Sequence, residues 1–187
     1  MQQLTSFVHA RSERDRIRED AAACARAVLH RREWLRPESV LLDVDASDGK
    51  RVLRLAANHF ASGNTLHPDV VFRALWRREQ VGSTALGTGI AIPHARIPGI
   101  SRPLTLFMRT REAVAFDAPD GKPISEFLVI MVSADGDTDD HLQLLAMVAA
   151  RFSNRAFRAL LDASATPSQV TTLFSEWDGD RHNASTA

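Results

Sequence analysis

The sequence predicts an α/β fold in which helices are layered on a central sheet, and three observations carry that expectation. Segments with apolar residues at helical spacing alternate with short apolar runs of strand length. Pro, Gly and Asn punctuate the joins between them. No internal repeat interrupts the alternation, and 187 residues at 44% hydrophobic content suffice for one buried core with an appendage.

The elements follow in chain order. Residues 1–35 are highly charged, yet Ile17, Ala21, Cys24 and Val28 recur at helical spacing and predict an added amphipathic helical extension. Pro37 breaks it, so the main domain is expected over 36–177, opening with a strand from Ser39 to Val44. Ser47 or Asp48 caps a helix carrying Val52, Leu55, Ala56 and Phe60 on one face and stopped by Gly63-Asn64. A second helix starts at Pro68 and ends near Gln80, with Val71, Ala74, Leu75 and Arg78 on a shared face. Gly82-Ser83-Thr84 and Gly87-Thr88-Gly89 frame a loop, and Ile90-Ala91-Ile92 is a brief strand stopped by Pro93, which leaves His94 at a strand end. Strands are predicted from Leu104 to Thr110 and from Phe127 to Val132, with a turn over Ala118 to Lys122 between them. After the acidic turn Asp135 to Asp140 comes a helix with Leu142, Leu145, Ala146, Ala149 and Phe152 on its apolar face. Two short helices follow, one with Phe157, Leu160 and Leu161, the other capped by Thr166-Pro167 and carrying Val170, Leu173, Phe174 and Trp177; residues 178–187 read as a disordered tail.

Composition excludes several classes. Twenty-three basic residues balance twenty-three acidic ones, so no overall field favours nucleic acid or an anionic membrane surface. The single cysteine, Cys24, rules out an internal disulfide framework and a cysteine zinc site, and it fits a reducing cytoplasm. No apolar run approaches the roughly 20 residues of a membrane span. No signal-peptide core is present, and the acidic residues among the N-terminal arginines argue against a transit peptide.

The Gly-rich segment before His94 holds the ingredients of a phosphate receiver: a nucleophile, donors for phosphoryl oxygens and a cation. Neutral imidazole is abundant at cellular pH, and Pro93 stiffens the backbone before His94. Gly87 and Gly89 allow close backbone approach, Ser83, Thr84 and Thr88 offer hydroxyls, and Arg78 offers a planar cation. On residue type alone a surface histidine, an ordinary loop and a solvated charge run explain the same features. His141 likewise reads as a core histidine sharing a face with Leu145, Val148 and Phe152, or as an anion contact in the first turn of its helix. Asp135, Asp137 and Asp139 imitate the start of a calcium loop, but Asp140 stands where Gly is needed and Ala146 where Glu is needed. His94 and His141 lack a third zinc ligand at any telling spacing, and no metal is expected. His9, His30, His59, His67 and His182 form no motif.

The pattern Glu79, six residues, Leu86-Gly87, two residues, Ile90-Ala91-Ile92-Pro93-His94-Ala95 resembles the phosphohistidine signature of the phosphotransferase-system IIA domains of the fructose, mannitol and nitrogen-regulatory class. Arg77-Arg78-Glu79-Gln80, Gly82-Ser83-Thr84, the stretch Phe116 to Pro123 and His141-Leu142-Gln143-Leu144-Leu145-Ala146 extend the resemblance over roughly residues 36 to 175. It implies the fructose/mannitol-type IIA fold, a mixed parallel and antiparallel sheet flanked by helices. It implies that His94 accepts phosphate from an HPr-type phosphocarrier, with phosphoenolpyruvate as the ultimate source through Enzyme I. His141 would hydrogen-bond the phosphoryl group, Arg78 would balance its charge, and no cofactor would take part. An apolar rim is expected for docking, with Ile97, Pro98 and Ile100 as its residues. The chain departs from the family pattern at Thr88, usually Asn, at Ala95, often Gly, and at Ser133 to Gly136, where a Pro-Glu stretch is more usual.

The run Ala95 to Ile100 is closer to the nitrogen-regulatory branch than to the sugar-specific ones, which implies a regulatory phosphocarrier. No IIB or IIC segment follows in this sequence, in keeping with that branch. The alternatives are a sugar-specific IIA that passes phosphate to a IIB cysteine, and a binding module without phosphotransfer.

Overall fold

The computed structural model describes residues 34–136 and 138–177. Apart from Trp34 and Leu35, the expected N-terminal extension lies outside the described residues, as do Cys24 and the tail 178–187. After a short 3-10 turn at Pro37–Ser39, the elements run β1 (Val40–Val44), α1 (Gly49–Ser62), α2 (Pro68–Val81), β2 (Ala85–Gly87), β3 (Ile90–Ala91), β4 (His94–Ile97), β5 (Leu104–Val114), β6 (Ile124–Ser133), α3 (Thr138–Ser153), α4 (Arg155–Ala163) and α5 (Pro167–Glu176). The strands form one mixed sheet in the order β1-β5-β6-β3-β2, with β4 also paired to β6. β1 runs parallel to β5 and β5 antiparallel to β6, while β3 and β4 lie parallel to β6 one after the other.

The apolar run of β6 is explained by burial on both faces. Phe127, Val129 and Met131 enter the core with Val52, Leu53, Phe60, Phe72 and Leu75 of α1 and α2. Leu128, Ile130 and Val132 enter the opposite core with Val148, Phe152, Phe157, Leu161 and Phe174 of α3, α4 and α5. The period-2 alternation of a strand therefore supplies both layers, and the sheet is sandwiched between two helical faces.

Local chemistry sets the helix ends. The Asp48 carboxylate accepts from the Arg51 amide at 2.8 Å to cap α1, Pro68 opens α2, and Thr166 with Gln169 forms a reciprocal capping box on α5. At Gly49 an added Cβ would collide with the Phe116 ring, so a side chain at this helix start would have to displace that ring. Across β5 and β6, Arg109 donates to Glu126 at 3.0 Å and to the Ser164 carbonyl at 2.8 Å, joining the sheet to the end of α4. Burial pushes the Glu126 carboxyl up to about 7, with Arg109 pulling against it.

Three expectations change. The apolar face of α3 is rotated: Leu144, Val148 and Phe152 are buried, whereas Leu142 is 57% exposed and Ala146 is exposed. The run Leu142 to Ala149 is apolar nearly all round, so sequence spacing leaves the buried stripe undetermined and the neighbouring aromatic cluster selects it. The segment expected as a loop before β3 instead contains β2, whose hairpin with β3 turns at Thr88-Gly89. His94 opens a further strand, β4, whose sequence His-Ala-Arg-Ile carries little apolar signal of its own.

Phe174 stands at the centre of the second core, with ring centroids 5.6 Å from Trp34, 6.1 Å from Phe107, 5.9 Å from Phe152 and 5.1 Å from Phe157. Phe174→Ala is predicted to lower unfolding free energy by about 3–5 kcal/mol, measured by urea denaturation. A loss below about 1 kcal/mol would show that this cluster collapses around the gap without cost.

Candidate functional site

His94 sits where the ladder on β6 passes from β3 to β4. The carbonyl of Pro93 accepts from the Ile130 amide at 2.9 Å, and from His94 to Ile97 the strand pairs with Ile130 to Ser133. Ala95 and Ile97 point into the core beneath α1 and α2, so His94 and Arg96 face the other way. Pro93 has no amide hydrogen to donate, which suits the interruption between the two short strands.

The imidazole of His94 is held at both nitrogens. Nδ1 lies 2.8 Å from the Ile92 carbonyl, and Arg78 Nε donates to Nε2 at 3.0 Å. Since a carbonyl and a guanidinium fix these roles, the proton belongs on Nδ1 and the lone pair on Nε2. Burial, then the nearby Arg78 and His141, hold His94 down to about 4 against the opposing pull of the Ile92 carbonyl. The ring is therefore neutral at physiological pH, with a defined nucleophilic nitrogen at Nε2.

Arg78 lies in the last turn of α2, and its Nη1 donates to the Gly82 carbonyl at 2.9 Å. His141 lies in the first turn of α3, its ring centroid 5.4 Å from that of His94 with 57° between the planes. Burial, then the charges of Arg96 and Arg78, also hold His141 below the ordinary histidine value. Among the described residues its buried Nδ1 has no hydrogen-bond partner. Three residues expected to act together are thus assembled from the end of one helix, the start of one strand and the start of another helix.

Of the five loop residues expected to contact phosphate, Ser83, Thr84 and Thr88 bond to other groups within the protein. The Ser83 hydroxyl donates to the Phe116 carbonyl at 3.0 Å. The Thr84 amide and hydroxyl donate to the Glu79 carboxylate at 2.9 and 2.6 Å, and the Thr84 carbonyl accepts from the Ile92 amide at 3.0 Å. The Thr88 amide donates to Asp120 at 2.8 Å. Gly87 and Gly89 take φ values of 81° and 84° at the β2–β3 turn, and a Cβ on Gly87 would lie 3.2 Å from the Asp120 carboxylate. Glu79 and the stretch around Phe116 to Asp120 thus pin the hairpin that leads the chain into His94.

The expected docking rim is corrected at Ile97, which is 2% exposed and part of the core. Ile100 packs partly buried against the same core, and Pro98 is exposed. Alternation along β4 is the reason, since a residue three positions from a surface histidine on a strand faces inward. Exposed apolar side chains instead occur at Val81, 83% exposed and three residues after Arg78, at Leu86, 41% exposed in β2, and at Leu142, 57% exposed and adjacent to His141 in the sequence.

Sequence reasoning missed Arg96. Its guanidinium donates to Thr138 Oγ1 at 2.7 Å, to the Ala134 carbonyl at 3.0 Å and to the Gly136 carbonyl. The available signal was its spacing, two residues after His94, which on a strand means the same face. Among the described residues no group of three or more His, Cys, Asp or Glu side chains could hold a metal, and no helix is long and apolar enough to cross a membrane.

Comparison with known proteins agrees with this geometry. Residues 33–177 match the family described as phosphoenolpyruvate-dependent sugar phosphotransferase system, EIIA 2. A nitrogen regulatory protein of Pseudomonas aeruginosa is 35% identical over 133 residues, covering 71% of this chain and 86% of that protein. A fructose-specific EIIA component of Haloferax volcanii is 34% identical over 108 residues, covering 58% of this chain and 70% of that protein. The crystal structure of nitrogen regulatory protein IIA-Ntr from Neisseria meningitidis superposes with a TM-score of 0.73 at 36% identity, covering 76% of this chain and 97% of that one. With the matched region spanning the whole sheet and all three residues of the histidine cluster, the chain belongs to the EIIA type 2 family of the phosphoenolpyruvate-dependent sugar phosphotransferase system.

Proposed function

We propose that this chain is a cytoplasmic phosphohistidine carrier of the regulatory, nitrogen-type branch, receiving a phosphoryl group on Nε2 of His94 from an HPr-type phosphocarrier. The observation that carries the reading is the pair of contacts on one ring: Nδ1–H bound to the Ile92 carbonyl and Nε2 facing the Arg78 guanidinium. In the transfer, the Nε2 lone pair forms a new P–N bond as the donor histidine's P–N bond breaks. No proton has to leave His94, because Nδ1–H stays on the Ile92 carbonyl. The Arg78 N–H that now bonds Nε2 is released by the new bond and turns to a phosphoryl oxygen.

His141 supplies a further hydrogen bond in this reading. Orphaned buried N–H groups are rarer than under-satisfied acceptors, so its unpartnered Nδ1 is better left as a lone pair. The proton then sits on Nε2, available to a phosphoryl oxygen. In this reading exposed Val81, Leu86, Leu142 and Pro98 supply the apolar surface against which the donor and the next partner dock in turn. Ser83, Thr84, Thr88 and Glu79 act by holding the hairpin rather than the phosphate. The added group brings close to two negative charges to a neutral ring, which changes what this surface can bind.

The regulatory branch is favoured by nitrogen regulatory relatives that match over more of the chain than the fructose-specific one does. The fructose-specific relative supports the second reading, a sugar-specific IIA that hands phosphate to a IIB cysteine. A binding module without phosphotransfer would leave the ordered tautomer of His94 without a use.

Incubation with labelled phosphoenolpyruvate, Enzyme I and an HPr-type carrier is expected to place acid-labile phosphate on the wild type and none on His94→Ala. Absence of label on the wild type would remove the carrier reading, and onward movement of label to a IIB cysteine would favour sugar transfer over regulation. His141→Ala is expected to fold normally and to transfer roughly 10²-fold more slowly; an unchanged rate would return His141 to a packing role.

The His94 imidazole is expected to titrate near pH 4 in an NMR titration. A midpoint at the ordinary histidine value would contradict the cation-lined, buried setting. Because the folded value lies below the unfolded one, the stability that depends on neutral His94 is full above pH 6.5 and is lost as pH falls towards about 4.

A further inference from the structure

We propose that Arg96 is a positioning residue for phosphoryl transfer: by bonding Ala134, Gly136 and Thr138 it holds the first turn of α3, and with it His141, in register with His94. The inference rests on the carrier reading above and assigns a role to a side chain that touches neither the reacting nitrogen nor, in that reading, the phosphoryl group.

Three observations support it. First, Arg96 stands on β4 on the same face as His94, and its contacts lie 38 to 42 residues further along the chain. One side chain, held at its planar guanidinium, therefore links the strand of the nucleophile to the helix of its partner. The backbone bond nearby, from the Ala134 amide to the Ile97 carbonyl at 2.8 Å, secures the end of β6 but not the helix start.

Second, among the described residues nothing anchors His141 on its buried side, where Nδ1 has no partner. The position of its ring is therefore inherited from the helix. Third, the acceptors suit a guanidinium. Two carbonyls and a hydroxyl spread over Ala134 to Thr138 can be met by the fan of N–H donors on Arg, whereas an ammonium is a compact point charge. The charge of Arg96 also acts, after burial, to hold His141 below the ordinary histidine value.

The test compares wild type with Arg96→Gln, Arg96→Lys and Thr138→Val in single-turnover transfer from a phosphorylated HPr-type carrier. For Arg96→Gln the transfer rate constant is expected to fall about tenfold or more, while the half-saturating donor concentration stays within about twofold. Arg96→Lys is expected to restore the charge without restoring the rate. Thr138→Val, which removes one acceptor and keeps the side-chain shape, is expected to show a smaller loss of the same kind.

Independently of phosphate, the proton–proton Overhauser contact between the His94 and His141 rings is expected in wild type and to weaken in Arg96→Gln. Transfer within about twofold of wild type in Arg96→Gln, or a loss carried wholly by weaker donor binding, would overturn the proposal. Should Arg96→Gln fail to fold, an unchanged rate in Thr138→Val would overturn it. Should the wild type take no label, the carrier reading fails by itself. The ring contact then decides the positioning claim, an unweakened contact in Arg96→Gln or Thr138→Val refuting it.

Discussion

β6 is buried on both faces and bonded along both edges. Its side chains alternate between the two helical layers, so a slip of one residue would exchange the entire contents of the two cores. Its backbone groups must also find partners within the molecule. β5 takes one edge; β3 and then β4 take the other. The gap between those two short strands is bridged by the Pro93 carbonyl, and His94 is the first residue beyond it. The His94 ring is thereby placed by a register that the hydrophobic core enforces.

Around that ring the electrostatics are unusual for a histidine. Ion pairing with a carboxylate would raise its proton affinity, but here the neighbours are a guanidinium and a second imidazole, and burial acts in the same direction. The arrangement favours a neutral ring whose outward nitrogen carries a lone pair. A cationic N–H pressed on that lone pair is a poor arrangement for binding protons and a good one for meeting an incoming group with anionic oxygens. Arg96 lies on the same face and adds positive charge near His141, so the neighbourhood carries two guanidinium groups beside two neutral-leaning imidazoles.

Much of the fold was legible because burial leaves a periodic trace. The caps at Asp48 and Thr166, the proline at the start of α2 and the apolar strands beside the acidic turn all rest on short-range chemistry. The misread parts share a cause. β4 has four residues and little apolar content, and it exists because β6 offers an unpaired edge there. α3 is apolar on too many sides for spacing to choose its buried stripe. The phosphate contacts expected of Ser83, Thr84 and Thr88 rest on hydroxyl and amide chemistry that serves the Phe116 carbonyl and the carboxylates of Glu79 and Asp120 equally well.

The sequence by itself determined that the chain alternates helices with short strands, that its signature histidine follows a rigid proline, and which family it resembles. These follow from neighbouring residues and from a pattern contained within one short segment. Tertiary structure decided which residues surround that histidine. Arg78, Arg96 and His141 come from three elements, and their convergence depends on how far α2 extends, where β4 joins β6 and how α3 is rotated. It also decided that Ile97 is core and Leu142 is surface, since exposure depends on packing partners far away in the chain. The physical reason is that capping, turns and periodicity act over a few residues, whereas the protonation state and surroundings of a side chain are set by everything folded against it.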